Sequence, residues 1–533
     1  MSSMPKVAYF SMEYGLHNDF KLYAGGLGIL AGDYLKGAKD HDFPIVGIGI
    51  LWKQGYTDQL IDANGKPYDS YKNYTYDFLE DTGVTVHVDI RRRRIACKVW
   101  KCEAFGNAPL YLLDTDLPDN EDPWITGQLY GWFGEERIAQ EIVLGIGGVR
   151  ALKALGHDVD VYHFNEGHAV FAGLELIREE MSHGTSFKKA WRKTRDKVVF
   201  TTHTPVLQGN ESHYIDRLMY MGANNTLSEK QLRRLGGDPF NMTVAALRIS
   251  RMSNGVAKLH GQTANKMWAH IDGRSQIHAI TNGIHVPTWV DTRMLEEKEP
   301  DKLWSLHMEN KRALISFVKE RTGSVLKEDV LTIGFSRRAA PYKRSNLIFT
   351  DERVIAPLLE EGKLQIIFSG KAHPLDDLGK SIVENIVTMT RKYPNAVVFL
   401  ENYDMTIGRH LVTGSDVWLN NPRRPKEASG TSGMKAAMNG VLNFSILDGW
   451  WPEACVHGVN GWQFGDGFES DDSTILDTHD LKALYKVLQE EVLPTYYEAP
   501  DQWRQMMVAS ISSTQEEFAV KRMLNEYYEL LYT

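Results

Sequence analysis

The sequence predicts an α/β protein built from two lobes, and three observations carry that expectation. Short apolar runs rich in β-branched residues alternate with helical stretches in both halves, the pattern of parallel sheets covered by helices. The 533 residues exceed what one hydrophobic core supports, so two or three domains follow. Glycine-rich and basic segments come directly after several strand-like runs, where open α/β sheets collect their ligands.

In a first lobe placed at residues 1–297, the runs 6–10, 45–50, 159–164, 198–202 and 277–281 read as strands and 135–155 as a helix. Residues 211–275 read as mostly helical. The run Arg91 to Arg94 precedes an apolar alternation and reads as a charged edge or turn beside a strand, with an anion or glucan contact as the alternative. The polar stretch 296–302 is the hinge candidate. It opens a second lobe, 298–499, with strands at 331–336, 364–369, 396–400 and 417–419. Residues 500–533 carry Trp503, Met506, Met507, Phe518, Met523 and Tyr527 at helical spacing, the mark of a closing helical segment returning toward the first lobe.

Charge excludes some partners. With 60 Lys plus Arg against 69 Asp plus Glu, the net charge of -9 gives no global basic field for nucleic acid or an anionic membrane, so any anion site is local. Cys97, Cys102 and Cys455 are odd in number and lack zinc-type or disulfide-framework spacing, which fits reduced thiols and predicts no metal. The N-terminal segment, from Met1 and Ser2 onward, has no apolar signal core, and no run approaches the roughly 18 apolar residues of a membrane helix. A cytoplasmic protein is expected.

The densest chemistry lies in Pro425-Lys426-Glu427-Ala428-Ser429-Gly430-Thr431-Ser432-Gly433-Met434-Lys435, where small residues precede a helix-forming run. Such a segment is either a plain turn or an anion nest, in which backbone N–H groups and the helix dipole converge on phosphate. Lys435, about one turn inside the helix, could form a Schiff base with a phosphorylated aldehyde. Arg337-Arg338-Ala339-Ala340-Pro341-Tyr342-Lys343-Arg344 follows a strand and reads as either a solvated basic turn or an oxyanion site.

These two segments resemble elements of the glycogen and α-glucan phosphorylases, and the Thr-Ser-Gly-Met-Lys form resembles the short bacterial and archaeal members. The resemblance implies pyridoxal 5'-phosphate on Lys435, with Gly430, Thr431, Tyr403 of Glu401-Asn402-Tyr403, and Gly26 beside the cofactor. It implies that Arg338 and Lys343 bind the cofactor and substrate phosphates, and that Glu427 and Ser429 lie at the sugar. Further elements agree in order. Tyr23-Ala24-Gly25-Gly26-Leu27-Gly28 resembles the phosphate-proximal glycine loop, with Gly28 on the substrate side. His203 of Thr202-His203-Thr204-Pro205 would flank the reacting glucose, and Asn282 of Thr281-Asn282-Gly283-Ile284 would bond a glucose hydroxyl. Lys371 of Ser369-Gly370-Lys371-Ala372 reads as family element or salt bridge, and Asn165-Glu166-Gly167-His168 faces the site without an assigned role.

The implied fold is GT-B, two Rossmann-like domains facing an interdomain cleft. The implied reaction is retaining phosphorolysis of an α-1,4-glucan or maltodextrin by inorganic phosphate, giving glucose 1-phosphate. A homo-oligomer is compatible with the sequence, and regulation of the animal type is not expected. Two rivals remain: a sugar-nucleotide-dependent glucosyltransferase, disfavoured because Tyr23 stands where such enzymes place a lysine, and a silent glucan-binding protein. Trp450 and Trp451 read as core or interface residues before sugar platforms.

Overall fold

The computed structural model describes residues 3–533, so the part of the N-terminal reading that falls on Met1 and Ser2 lies outside it. Contacts divide the chain into two compact units, Met1–Tyr56 with Tyr71–Thr281 and Met523–Thr533, and Thr57–Ser70 with Asn282–Arg522. Each is an α/β unit with its own largely or wholly parallel sheet.

The first unit holds a nine-stranded sheet. Val7–Phe10 pairs in parallel with Ile45–Ile50 on one side and Val161–Asn165 on the other. Parallel pairing continues outward to Leu110–Asp114 on the first side, and through Val198–Thr201, Met252–Gly255 and Gln276–Ala279 on the second. All four residues of Val7–Phe10 are buried, as a strand covered on both faces requires, and this makes the run legible as continuous apolar sequence. The strand Met252–Gly255, inside a stretch expected to be helical, contains no β-branched residue to betray it. Glu80–Ile90 and Arg93–Cys102 form an antiparallel hairpin at the edge, and Arg91 and Arg92 take positive φ in its turn. The helix expected at 135–155 is present as Glu135–Ile142, a π-helical turn Val143–Gly147, and Gly148–Ala154.

The second unit holds six parallel strands in the order Val397–Leu400, Leu364–Ser369, Leu331–Ser336, Val417–Asn420, Leu442–Ile446, Gly461–Phe464. Counted along the chain this is 3-2-1-4-5-6, the order of a doubly wound sheet. The last two strands escape a reading by apolar runs, because Asn443 and Ser445 interrupt one and the other opens on a glycine. A hairpin of Asp58–Ile61 and Pro67–Ser70 belongs to this unit despite its place in the sequence. The Gln59 side chain exchanges hydrogen bonds with the Ala372 backbone at 2.9 Å each way.

The closing segment divides between the units. Pro500–Thr514 sends Trp503, Met506, Met507 and Ile511 into the core of the second unit. The last residues complete the first: the Tyr532 hydroxyl lies 2.6 Å from His163 Nδ1 and 2.5 Å from the Tyr34 hydroxyl. No described helix is long and apolar enough to cross a membrane.

Beneath the second sheet, Asp416 is fully buried, with Lys311 Nζ at 2.6 Å and His307 Nε2 at 2.8 Å, and it accepts the Thr332 N–H at 2.9 Å. This ties the helix Pro300–Thr322 to two central strands. Removing one partner of a buried ion pair strands the other charge. Lys311→Met is expected to cost about 3–5 kcal/mol. A thermal-unfolding midpoint lowered by less than about 2 °C would contradict this role.

Candidate functional site

Both sheets have a switch point, where successive connections leave in opposite directions and the carboxyl ends of two neighbouring strands open a crevice. In the second unit it lies between Leu331–Ser336 and Val417–Asn420. Arg337, Arg338 and Lys343 follow the first of these strands, and the segment 421–435 follows the second.

Glu427 is buried there between two cations. Arg337 Nη2 donates to Oε2, and Lys343 Nζ donates to the same oxygen at 3.1 Å. Burial opposes the carboxylate's charge, but Arg337 and Lys343 outweigh it and hold its pKa at about 2. Its backbone N–H donates to Asp448 Oδ2 at 2.9 Å, and Trp450 N–H donates to the Ser429 carbonyl at 3.0 Å, so the segment is latched to the end of the neighbouring strand. Burial pushes Asp448 well above the usual carboxylate range, against the Glu427 N–H that donates to it.

Gly430, with φ +79°, precedes the helix Thr431–Met438, whose N-terminus has no side-chain cap. Arg337 Nη1 donates to Ser432 Oγ at 3.1 Å, so the guanidinium spans Glu427 and the first turn of this helix. Lys435 is buried on the same helix with its Nζ 3.8 Å from the centroid of the Trp289 ring, a cation–π distance. Asn439 fixes that geometry by donating to the carbonyls of Lys435 at 2.9 Å and Trp289 at 3.0 Å. Burial raises the Tyr403 hydroxyl to about 12, with Arg337 close enough to oppose the shift. Gly370 is obligatory: its φ is +138°, and a Cβ there would stand 1.9 Å from the Arg337 carbonyl oxygen.

The first unit presents a second group at its own switch point, between Val7–Phe10 and Val161–Asn165. Glu13 folds back under the glycine loop, where Oε2 accepts the N–H groups of Ala24 at 2.6 Å and Gly25 at 3.1 Å. A Cβ on Gly28 would stand 2.6 Å from that oxygen, whereas one on Gly26 would meet nothing within 4 Å. Gly28 is therefore required by the approach of Glu13, and Gly26 leaves open space over the start of the helix Gly26–Asp40. Glu166 adopts φ +77° and ψ +170°, a strained conformation for a non-glycine residue. Its carboxylate accepts the N–H of His203 at 2.8 Å and of Gly167 at 3.0 Å, and the Thr204 hydroxyl at 3.1 Å. His203 Nε2 lies 2.6 Å from Asn165 Oδ1, and burial holds its pKa down to about 3, so the ring is neutral at ordinary pH.

The expected residues thus fall into two groups. Glu427, Ser429, Gly430, Thr431, Lys343, Lys435 and Tyr403 sit at the carboxyl edge of the second sheet, as does Arg337, which the expected basic segment contained without a role of its own. Arg338 is exposed, and its neighbour Arg337 takes the bond to Glu427. Asn282 is buried with an amide oxygen that has no hydrogen-bond partner. Lys371 donates to the Thr57 carbonyl at 2.7 Å, so its element seats the 57–70 hairpin. Gly26, Gly28 and His203 belong to the first unit. Sequence reasoning missed Trp289, Glu13 and Asp448, which carry no local motif. Glu166, expected to face the site but given no role, follows the buried strand Val161–Asn165 directly.

Residues 291–455 match the family model of the carbohydrate phosphorylases. Over 99% of its length the chain is 39% identical to a maltodextrin phosphorylase of Thermococcus litoralis, covering 70% of that protein. It is 36% identical to a glycogen phosphorylase of Aquifex aeolicus, with 99% of this chain and 86% of the relative covered. A glycogen phosphorylase of Mycobacterium tuberculosis is 34% identical over 99% of this chain and 70% of its own.

Because the Glu427 pKa is depressed, its stabilising pairing with Arg337 and Lys343 is complete above pH about 4.5 and is lost as pH falls toward about 2. Wild type and Glu427→Gln should therefore differ most in unfolding midpoint near neutrality and converge on acidification. A gap independent of pH from 7 to 3 would refute the ionised pairing.

Proposed function

The chain belongs to the carbohydrate phosphorylase family, and on that premise we propose that it is a retaining α-1,4-glucan phosphorylase carrying pyridoxal 5'-phosphate on Lys435. It transfers a terminal glucosyl unit from maltodextrin or a longer glucan to inorganic phosphate and releases glucose 1-phosphate. The observation that carries the cofactor assignment is the buried Lys435 ammonium held over Trp289 on a helix whose N-terminus has no side-chain cap.

The residues present fit such a group. Two cations, Arg337 and Lys343, face one internal carboxylate, which leaves net positive charge for a phosphate. Arg337 Nε and Ser429 Oγ are buried without hydrogen-bond partners, as polar atoms awaiting an anion or a sugar hydroxyl would be. Lys435 would hold the cofactor covalently through Nζ, with Trp289 and Tyr403 bounding it and the N–H groups after Gly430 meeting its phosphate. When bound, the cofactor supplies a phosphate that acts as proton donor and acceptor beside the substrate phosphate.

Lys343, Arg337 and Arg338 hold the substrate phosphate and offset the repulsion between two anions. Glu427 and Asn282 orient the glucosyl hydroxyls, and the His203 carbonyl faces the positive charge that develops on the sugar. The glycosidic C1–O bond breaks, a proton passes from substrate phosphate to the departing oxygen, and a phosphate oxygen bonds C1 on the same face. Neutral His203, anchored by Glu166 and Asn165, does not compete as an acid. The reading draws on residues of both units and takes the fold as GT-B, two Rossmann-like domains, with exclusion of water favouring phosphate over hydrolysis. It carries with it a cytoplasmic location, in keeping with three free cysteines among the described residues.

Borohydride reduction followed by peptide mapping should find one pyridoxyl group, on Lys435, and purified protein should release glucose 1-phosphate from maltodextrin only when phosphate is present. Lys343→Ala is expected to lower kcat/KM about 10²–10³-fold. Absence of cofactor after reconstitution with pyridoxal phosphate, or label on another lysine, would overturn the assignment.

A further inference from the structure

A second cluster of titratable groups in the first unit is used by none of the chemistry above. Glu141 lies in the helix Glu135–Ile142, His168 in the turn Gly167–Ala169 after a central strand, and Glu211 just before the short strand Ser212–His213. One ligand-type atom from each lies within 4.8 Å of the other two. Glu141 is fully buried, and neither of its carboxylate oxygens has a hydrogen-bond partner; His168 Nδ1 is likewise buried and unpartnered. A buried carboxylate with both oxygens unsatisfied carries a large desolvation cost, which a cation of suitable size removes.

From this geometry we propose that Glu141, His168 and Glu211 form a binding site for one divalent transition-metal ion of the zinc or manganese class. One imidazole nitrogen and two carboxylate oxygens are the donors that class accepts, and a magnesium ion would favour oxygen alone. Ligand atoms around such an ion stand about 3–4 Å apart for bonds of roughly 2.0–2.2 Å, so small torsional shifts close the set. His213 Nε2 lies 3.1 Å from Glu211 Oε1, the position of an outer residue that orients a ligand carboxylate.

Two groups oppose the ion. Arg137 Nη1 lies 3.8 Å from Glu211 Oε2, although the guanidinium also rests over the Tyr130 and Phe133 rings at 5.1 and 5.4 Å. His213 Nε2 also lies 3.7 Å from Glu141 Oε2, so without an ion this histidine faces both carboxylates. The site joins the helix Glu135–Ile142 to the loops that carry His168 and Glu211, and Tyr130 connects it to Glu13 under the glycine loop at 3.1 Å. It would pin those loops whether or not the glucan reaction is as proposed.

The full chain, stripped with EDTA and dialysed against zinc alone or manganese alone, should retain about one ion per chain by elemental analysis. His168→Ala and Glu141→Gln should each weaken retention at least about tenfold, with melting curves checking that each variant folds. An anomalous difference map of the loaded, unmutated chain should place the ion between the three ligands. Sub-stoichiometric uptake, retention unchanged in the folded variants, or a map with only water or a proton-sharing contact between Glu141 and Glu211 would overturn the proposal.

Discussion

The burial of Glu427 between Arg337 and Lys343 is the interaction on which the group of residues at the edge of the second sheet depends. A carboxylate taken out of water at a strand end needs both cations, and supplying them fixes the loop after Leu331–Ser336 against the loop after Val417–Asn420. Once that pairing is made, Arg337 can reach Ser432, the helix carrying Lys435 starts beside it, and Gly370 must be glycine because the Arg337 carbonyl passes so close. The same pairing leaves one positive charge in excess, which is what an anionic cofactor or substrate requires.

The first unit solves a related problem with backbone donors. Glu13 satisfies its charge on the N–H groups of the glycine loop, and Glu166 does so on His203 and Gly167. Glu166 pays for this with a strained backbone, which persists because three hydrogen bonds hold its side chain. Carboxylates bound to fixed N–H groups are rigid, so both loops leave the sheet in a set geometry. The glycine loop is shaped by this internal carboxylate at Gly28, while the space over Gly26 stays open to a ligand.

The two units therefore balance their buried charge differently. In the second, cationic side chains face Glu427, whereas in the first, backbone N–H groups meet Glu13 and Glu166 beside a neutral His203.

By itself the sequence determined the α/β class, the first four strands of the second sheet to within one residue, and the contiguous segment from Glu427 to Lys435, because a buried parallel strand and a small-residue loop before a helix are local signals. It also spelled out His203, just after a strand, and the glycine loop, at the start of a helix. Only the tertiary structure decided which partners these residues meet. Trp289 lies under Lys435, Arg337 rather than Arg338 bonds Glu427, and Glu13 fills the glycine loop, since sheet order and the course of the connections bring distant segments together without leaving a pattern in either. The strand Met252–Gly255, the 57–70 hairpin and the Glu141, His168 and Glu211 cluster were hidden for the same reason: their residues acquire meaning through neighbours far away in the chain.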